Sequence, residues 1–453
     1  NYDLYRNNNH AATESNGIFM GMPYSSQDLA HTLSNRDEAV ITYQKKFADK
    51  AKKLDFKLGN THSTTDFDQF NYNMNSQQLA NSSDMNITTF NVDFSQPVKL
   101  LDGGTVSFGG LYEKQKFDTE SGGLTNLEYD RQTASTYLEL KMKKKNFDFI
   151  AGTRAENYDI SGIARMMNNG QLQQTELIPF KKSKLFPNAS VQYNFMPRIY
   201  MALNYNKKII LPSINALNPN NSTFANQNTS TTGNPFLQPT IMDNYEVKVS
   251  MFDYAFIGYN VSVVKDQVAQ LITRNGDYLT NVQVNIHDMK IHNFNAGIPV
   301  PFMIFNTPIK EMMKFNFNPD KINFLYIYAG WQKHEIPDIQ SRGFWMFNLM
   351  TQIILPKDIK LTANYLYLQP KGNYFYFIAE KPIGNTLDIT LSKKFMNDRL
   401  TVSIFGNDIF RGQQMSFSSG KGSPKVYLSN KFDSNTFGMS VNYKIPTKNR
   451  LAK

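Results

Sequence analysis

Few residues in this chain have the types and spacing that chemistry requires. The six histidines, His10, His31, His62, His287, His292 and His334, are scattered, and only His287 and His292 fall close together. Five apart along a strand, those two point to opposite faces, which argues against a shared metal ion. Asp66 and Asp68 sit in a polar stretch that reads as a loop. Two such carboxylates could hold calcium with further oxygen ligands, although alternate acids on a loop are commonly just solvated. No His-Glu-x-x-His pair, phosphate-cradling glycine loop or nucleophile elbow occurs, and no Ser/His/acid set stands out. Cysteine is absent, which excludes disulfides and thiolate sites and suits an oxidising compartment. The expectation is a protein that is not an enzyme and holds no cofactor. Sugar stacking would fall to loop aromatics such as Phe67, Phe70, Tyr72 and Phe224, for which ordinary loop packing is the plainer account.

A second set of charged residues alternates with apolar ones: Asp55, Lys57, Glu139, Lys141, Glu246, Lys248 and Asp388. Period-2 alternation is the dominant pattern of the whole chain. At the C-terminus Phe437, Met439, Val441, Tyr443 and Ile445 alternate with Gly438, Ser440, Asn442 and Lys444. It returns at Leu387–Leu391, Ala189–Phe195 and Tyr245–Met251. With 34 Phe and 24 Tyr but a mean hydropathy of −0.46, the chain is apolar and polar at once, as a sheet between lipid and water must be. No run of about 18 apolar residues occurs, so a membrane would be crossed by strands rather than helices. Candidate strands 53–65, 104–116, 147–158 and 400–410 have the ~9–11 residues that a membrane-spanning strand needs, against ~5–6 in soluble sheets.

Connections alternate in length. Short ones fall near 48–52, 98–103, 143–146, 195–198, 253–256, 355–358 and 396–399. Between them lie long polar stretches near 66–85, 117–131, 159–182, 210–242, 274–288, 370–382 and 411–434. Short periplasmic turns and long extracellular loops mark a bacterial outer-membrane barrel. The net charge of +10 is gathered in turn segments such as Lys143–Lys145 and Lys50–Lys53, so it reads as turn solvation rather than a nucleic-acid surface. Charge on the lipid face costs ~2–4 kcal/mol for Lys or Arg at mid-membrane, which directs the seven alternating charges above to the lumen. The aromatics Tyr193, Phe195, Tyr205, Tyr245, Phe437 and Tyr443 then face outward. Strand 37–47 and the last strand both run toward the periplasm, giving an odd count of roughly 17 where such barrels have an even one. At least one strand is therefore expected before residue 37, with 1–36 a loop or an incomplete early strand, 37–445 the barrel, and 446–453 a short basic periplasmic tail.

Several segments resemble the outer-membrane barrel of the TonB-dependent receptor type found in Bacteroidota. They are Thr232-Gly233-Asn234-Pro235-Phe236-Leu237-Gln238-Pro239 with Asn244-Tyr245-Glu246, Val264-Lys265-Asp266-Gln267-Val268, Leu355-Pro356-Lys357-Asp358, Tyr43-Gln44-Lys45-Lys46-Phe47, and Ser392–Leu400 running into Asn407-Asp408-Ile409-Phe410. The resemblance implies an all-β, transmembrane, antiparallel up-and-down barrel of about 22 strands in the parent protein. It also implies nutrient uptake, with siderophore, glycan and peptide all open, and contact with TonB through an N-terminal region not in this chain. Outer-membrane lipid, lipopolysaccharide and a surface lipoprotein or other outer-membrane subunits are the further partners expected. The competing expectation is a non-transporting structural barrel within a larger outer-membrane complex.

Overall fold

The computed structural model describes residues 2–19, 22–49, 51–72, 77–121, 124–168, 171–219, 223–226, 229–252, 254–275, 278–305, 322–337, 339–419 and 426–445; the basic tail 446–453 lies outside them. The strands are β1 (Tyr2–Phe19), β2 (Met22–Lys46), β3 (Lys53–Tyr72), β4 (Gln77–Val98), β5 (Gly104–Ser121), β6 (Leu124–Lys144), β7 (Phe147–Asn168), β8 (Gln171–Glu176), β9 (Phe180–Met196) and β10 (Ile199–Ile210). A single helical turn, α1 (Ile214–Leu217), precedes β11 (Thr223–Asn226), β12 (Thr229–Thr232), β13 (Thr240–Met251), β14 (Ala255–Asn275) and β15 (Tyr278–Pro301). Then come β16 (Phe324–Glu335), β17 (Phe344–Leu355), β18 (Ile359–Leu368), β19 (Asn373–Tyr374), β20 (Phe377–Ala379), β21 (Ile383–Phe395), β22 (Leu400–Asn407), β23 (Gln414–Ser419), β24 (Val426–Lys431) and β25 (Thr436–Tyr443). Within the segment expected as loop or incomplete strand, residues 2–19 form β1 and residues 22–36 the first part of β2.

The chain divides into two compact units: residues 1–194, 202–245 and 262–289, and residues 195–201, 246–261 and 290–453. In the first, β1 to β7 follow one another as antiparallel hairpins, and β7 pairs with both β8 and β9. In the second, residues 290–301 of β15 pair with β16, and the series continues through β17, β18, β21, β22 and β25, all antiparallel. Strands β19, β20, β23 and β24 form a small separate sheet from the long connections. One short pairing, β12 with β15, is parallel.

Tight turns are built by residues in the left-handed region. Lys145 (φ 51°) turns β6 into β7, and its N–H is held by the Asp102 carboxylate at 2.5 Å. Lys357 and Asp358 serve between β17 and β18, and Met396, Asn397 and Asp398 between β21 and β22. Positive φ lets the chain reverse within these turns of two to four residues, and Asn and Asp are among the side chains that tolerate it best.

The stretches 66–85, 117–131, 159–182 and 274–288, expected as long loops, are largely strand instead. In β5, Phe108 and Tyr112 are exposed on one face, and beyond them that same face carries Lys114, Lys116, Asp118 and Glu120. The opposite face, polar at Thr105 and Ser107, ends in buried Gln115, Phe117 and Thr119. Strand β6 repeats this: Leu138 is exposed, whereas Leu127 and Tyr129, on the other face, are buried. The alternation therefore reverses its phase partway along each strand. The apolar outer part, Gly104–Tyr112 in β5, is about nine residues, the length a tilted strand needs to cross hydrocarbon. Above it the outer face meets water and the other face meets protein.

Candidate functional site

Where α1 and the segment 232–239 lie, the upper, protein-facing ends of β5, β6, β7 and β9 are covered. Ser213 caps the turn by accepting the Ala216 N–H at 3.2 Å. Asn218 at its end donates to Thr119 Oγ1 at 3.2 Å. The chain then comes back against α1, with Asn234 N–H donating to the Ala216 carbonyl at 2.6 Å and Thr232 Oγ1 to the Pro219 carbonyl at 2.6 Å. Gly233 is required by this approach, because a Cβ there would stand 2.3 Å from the Asn218 carbonyl oxygen.

The rest of the motif is latched by side-chain amides. Asn234 donates to the Gln283 carbonyl at 2.9 Å while its own oxygen accepts the Phe236 N–H. Asn285 accepts the Gln238 N–H at 2.8 Å and donates to the carbonyls of Gln238 and Asp266. Asp266 has φ 53° within β14, and its carbonyl accepts from both Asn285 and Thr240. Its carboxylate meets His287 Nδ1 at 2.8 Å. Gly233, Asn234, Gln238 and Asp266 are thus parts of one latch.

Beneath the latch, Ala216, Leu217 and Leu237 complete an apolar cluster with Phe117, Leu127, Tyr129, Tyr158, Ile160, Leu177, Phe180 and Phe186. Full burial of a side chain such as Leu217 contributes ~1.5–3 kcal/mol, which is what holds the segment down. Beside the cluster lies a cavity of about 610 Å³. Its wall combines hydroxyls and amides, Thr32, Ser63, Thr65, Ser83, Gln115 and Asn126 from the five strands β2 to β6 and Asn218 beyond α1, with apolar side chains, Phe67, Met85, Phe117, Leu211 and Ile214. Arg131 also lines it, ion-paired to Glu113 and with its Nε unpartnered. Asn81 Oδ1 is likewise unpartnered. Burial pushes the Tyr129 phenol up, against the nearby Arg131 guanidinium, so it stays a neutral hydroxyl. The cavity offers neutral hydrogen-bonding groups beside apolar walls, and the one cation among its described lining residues is already balanced.

Of the residues anticipated from sequence, Phe67 lines this cavity but stands on β3 rather than a loop. Phe70 and Tyr72, also on β3, pack against each other at 4.4 Å. Asp66 and Asp68 are strand residues too, facing away from Phe67. Among the described residues no group of three or more His, Asp or Glu side chains stands together for a metal. Asp55 accepts from Gln44 at 2.6 Å and lies opposite Asp93, and Lys57 lies opposite Asn91. Glu139 pairs with Lys141 at 3.1 Å. These four share one face of the first unit's sheet, below the cavity. In the second unit Glu246 and Lys248 lie on β13, and Lys248 Nζ is 5.5 Å from the Phe256 ring centre. Asp388 has a scaffold task, accepting the Asp408 N–H at 2.8 Å. His292 bonds Tyr259 at 2.7 Å.

The second unit has its own cavity of about 390 Å³, lined by Asn293, Asn295, Trp331, Phe344 and Tyr374 among others. Close by, burial pushes His334 down to about 4, so its Nδ1 is a free acceptor for the Phe375 N–H at 3.0 Å. Tyr374 and Phe375 pack their rings at a tilt against it, tying β19 to the end of β16.

The model of the outer membrane protein beta-barrel family matches residues 45–443. The chain belongs to this family. It is a transmembrane antiparallel up-and-down β-barrel of the bacterial outer membrane, with short periplasmic turns, and its apolar band faces lipid. Comparison with curated protein sequences finds no match. Among solved structures, the barrel is similar to the Serratia marcescens hemophore receptor HasR in complex with its hemophore HasA and heme (12% identity, TM-score 0.59, 97% of this chain and 71% of that one). It is also similar to the copper transporter OprC (10%, 0.61, 98% and 78%) and to the ferric citrate transporter FecA in its unliganded form (10%, 0.59, 96% and 70%). At such identities the likeness is one of fold.

Proposed function

We propose that this barrel belongs to an outer-membrane uptake receptor of the TonB-dependent type, and that the 610 Å³ cavity under the latch is part of its ligand path. The observation that carries the reading is the cavity itself: a recess with both hydrogen-bonding and apolar walls on the face opposite the lipid band, covered by a segment held through specific side-chain bonds. A barrel that served only as scaffold has no need of such a covered recess. The lining favours a neutral ligand with both hydrogen-bonding and apolar faces, because an anionic chelate would find Arg131 already neutralised by Glu113. In this reading Asp55, Lys57, Glu139, Lys141, Glu246, Lys248 and Asp388 line the lumen, and energy coupling comes through TonB.

Ser83→Trp places a large side chain in the cavity from β4 without touching the lipid band. In the parent bacterium the variant is expected to reach wild-type abundance in the outer membrane and to lose growth on one defined nutrient source that the wild type supports. Equal growth of both strains across defined carbon, nitrogen and iron sources would instead favour the structural-subunit reading.

A further inference from the structure

The lipid-facing side of the first unit is not uniform. Between Phe94 and Phe108, whose rings lie 5.1 Å apart, and the small residues Gly110 and Thr136, a groove of about 370 Å³ opens, floored by Leu54 and Val92. Register places these side chains on one face: Leu54 opposite Phe94, Phe94 opposite Phe108, and Val92 opposite Gly110, which faces Thr136. The notch exists because Gly110 and Thr136 interrupt a row of large apolar side chains.

At the periplasmic end of this groove stand two cations. Lys52 Nζ lies 5.8 Å from the centre of the Phe94 ring, which is a wall of the groove, and 4.7 Å from that of Phe47. Lys45 Nζ lies 5.3 Å from the same Phe47 ring. Phe47 meets Phe94 edge-on at 6.5 Å, so rings and ammoniums form one assembly. Among the described residues neither lysine is ion-paired with a carboxylate. The nearest acid in the turn, Asp49, is occupied by the Ala51 N–H at 3.0 Å.

We propose that this is a specific site for a glycerophospholipid of the periplasmic leaflet, with an acyl chain in the groove and the phosphate between Lys45 and Lys52. The chemistry is complementary at both ends: an apolar slot within the membrane-spanning band, and two uncommitted cations where that band meets the headgroups. General annular lipid would need neither the notch nor the paired charges beside it.

Full-length protein purified in detergent and titrated with dioleoylphosphatidylglycerol, read by native mass spectrometry, tests the site. The wild type is expected to bind one lipid saturably. Thr136→Phe fills the groove from the lipid side and is expected to abolish that binding. The Lys45→Gln/Lys52→Gln pair is expected to weaken it by roughly fivefold per lysine, while leaving the slot intact. Heat-modifiable migration on gels, equal to that of the wild type, certifies that each variant is folded. Binding by folded Thr136→Phe at wild-type affinity overturns the groove, and an unchanged affinity in the lysine pair overturns the headgroup assignment and with it the site.

Discussion

Gly233→Val is expected to lift the segment 211–239 off the strands it covers. The new Cβ would meet the backbone of Asn218 at 2.3 Å and the Ala216 carbonyl at 2.9 Å, and neither is the end of a flexible side chain. The segment must shift, which strains the Asn234–Ala216 bond and draws Ala216 and Leu217 from the apolar cluster. Overpacking of this kind costs ~1–3 kcal/mol and loss of the Leu217 burial ~1.5–3 kcal/mol more. At 1.4 kcal/mol per factor of ten, the open population is expected to rise by roughly two to four orders of magnitude. Limited proteolysis of intact outer membranes should show that rise as faster cleavage between residues 211 and 239. Gly258→Val is the control: nothing lies within 3.6 Å of a Cβ there, and cleavage should stay at the wild-type rate.

Asp408→Ala is the second large effect. This buried carboxylate, following β22, accepts the Gly412 N–H at 2.8 Å, the Gln413 N–H at 3.0 Å and the Ser434 hydroxyl at 2.5 Å, while its carbonyl accepts from Asn435. The residue also sits at φ 43°, where Asp and Asn are accommodated more readily than Ala. Alanine strands the buried Gly412 donor, at ~1–3 kcal/mol, and adds ~1–2 kcal/mol of backbone strain. Cleavage in the 411–435 connection should rise about a hundredfold, and less for Asp408→Asn, which keeps the backbone conformation. The pH dependence follows from the same bonds. Burial alone would raise the carboxyl, but the bonds from Ser434, Gly412 and Gln413 outweigh it and hold the group below its ordinary 3.8. A depressed folded value stabilises above the unfolded one and is lost as pH falls through it. The connection should therefore stay closed at neutral pH and loosen only below about pH 4.

What the sequence discloses, and what it hides, have separate physical causes. Phe437, Met439, Val441 and Tyr443 alternate against small polar residues, and β25 exposes all four on its apolar face. The turns at Lys357-Asp358 and Asn397-Asp398 were equally legible, because left-handed backbone selects its residues. The upper halves of β3, β5, β6 and β7 were not. Phe117, Leu127, Tyr129 and Tyr158 occupy the face that carries Asp55 and Glu139 lower down, so a single alternation applied along the strand breaks and the remainder resembles loop. The Gly233 motif marked its own importance as a turn but not its partners, since Asp266 and Asn285 stand on β14 and β15, and only strand pairing brings them back to it. The cavity was the least visible part. Thr32, Thr65, Ser83 and Gln115 are unremarkable one by one, and only the register of β2 to β5 gathers them.

The reversal of phase along the strands is the centre of this account, and the absence of cysteine makes it directly measurable. Single cysteines placed along the outer face of β5, at positions 108, 110, 112, 116 and 118, can be probed in intact membranes with a membrane-impermeant maleimide. Labelling is expected to be negligible at 108, 110 and 112 and rapid at 116 and 118, with the step between Tyr112 and Lys116. Uniform rapid labelling from 108 to 118 would contradict the membrane-spanning assignment of β5 and, with it, the barrel described above.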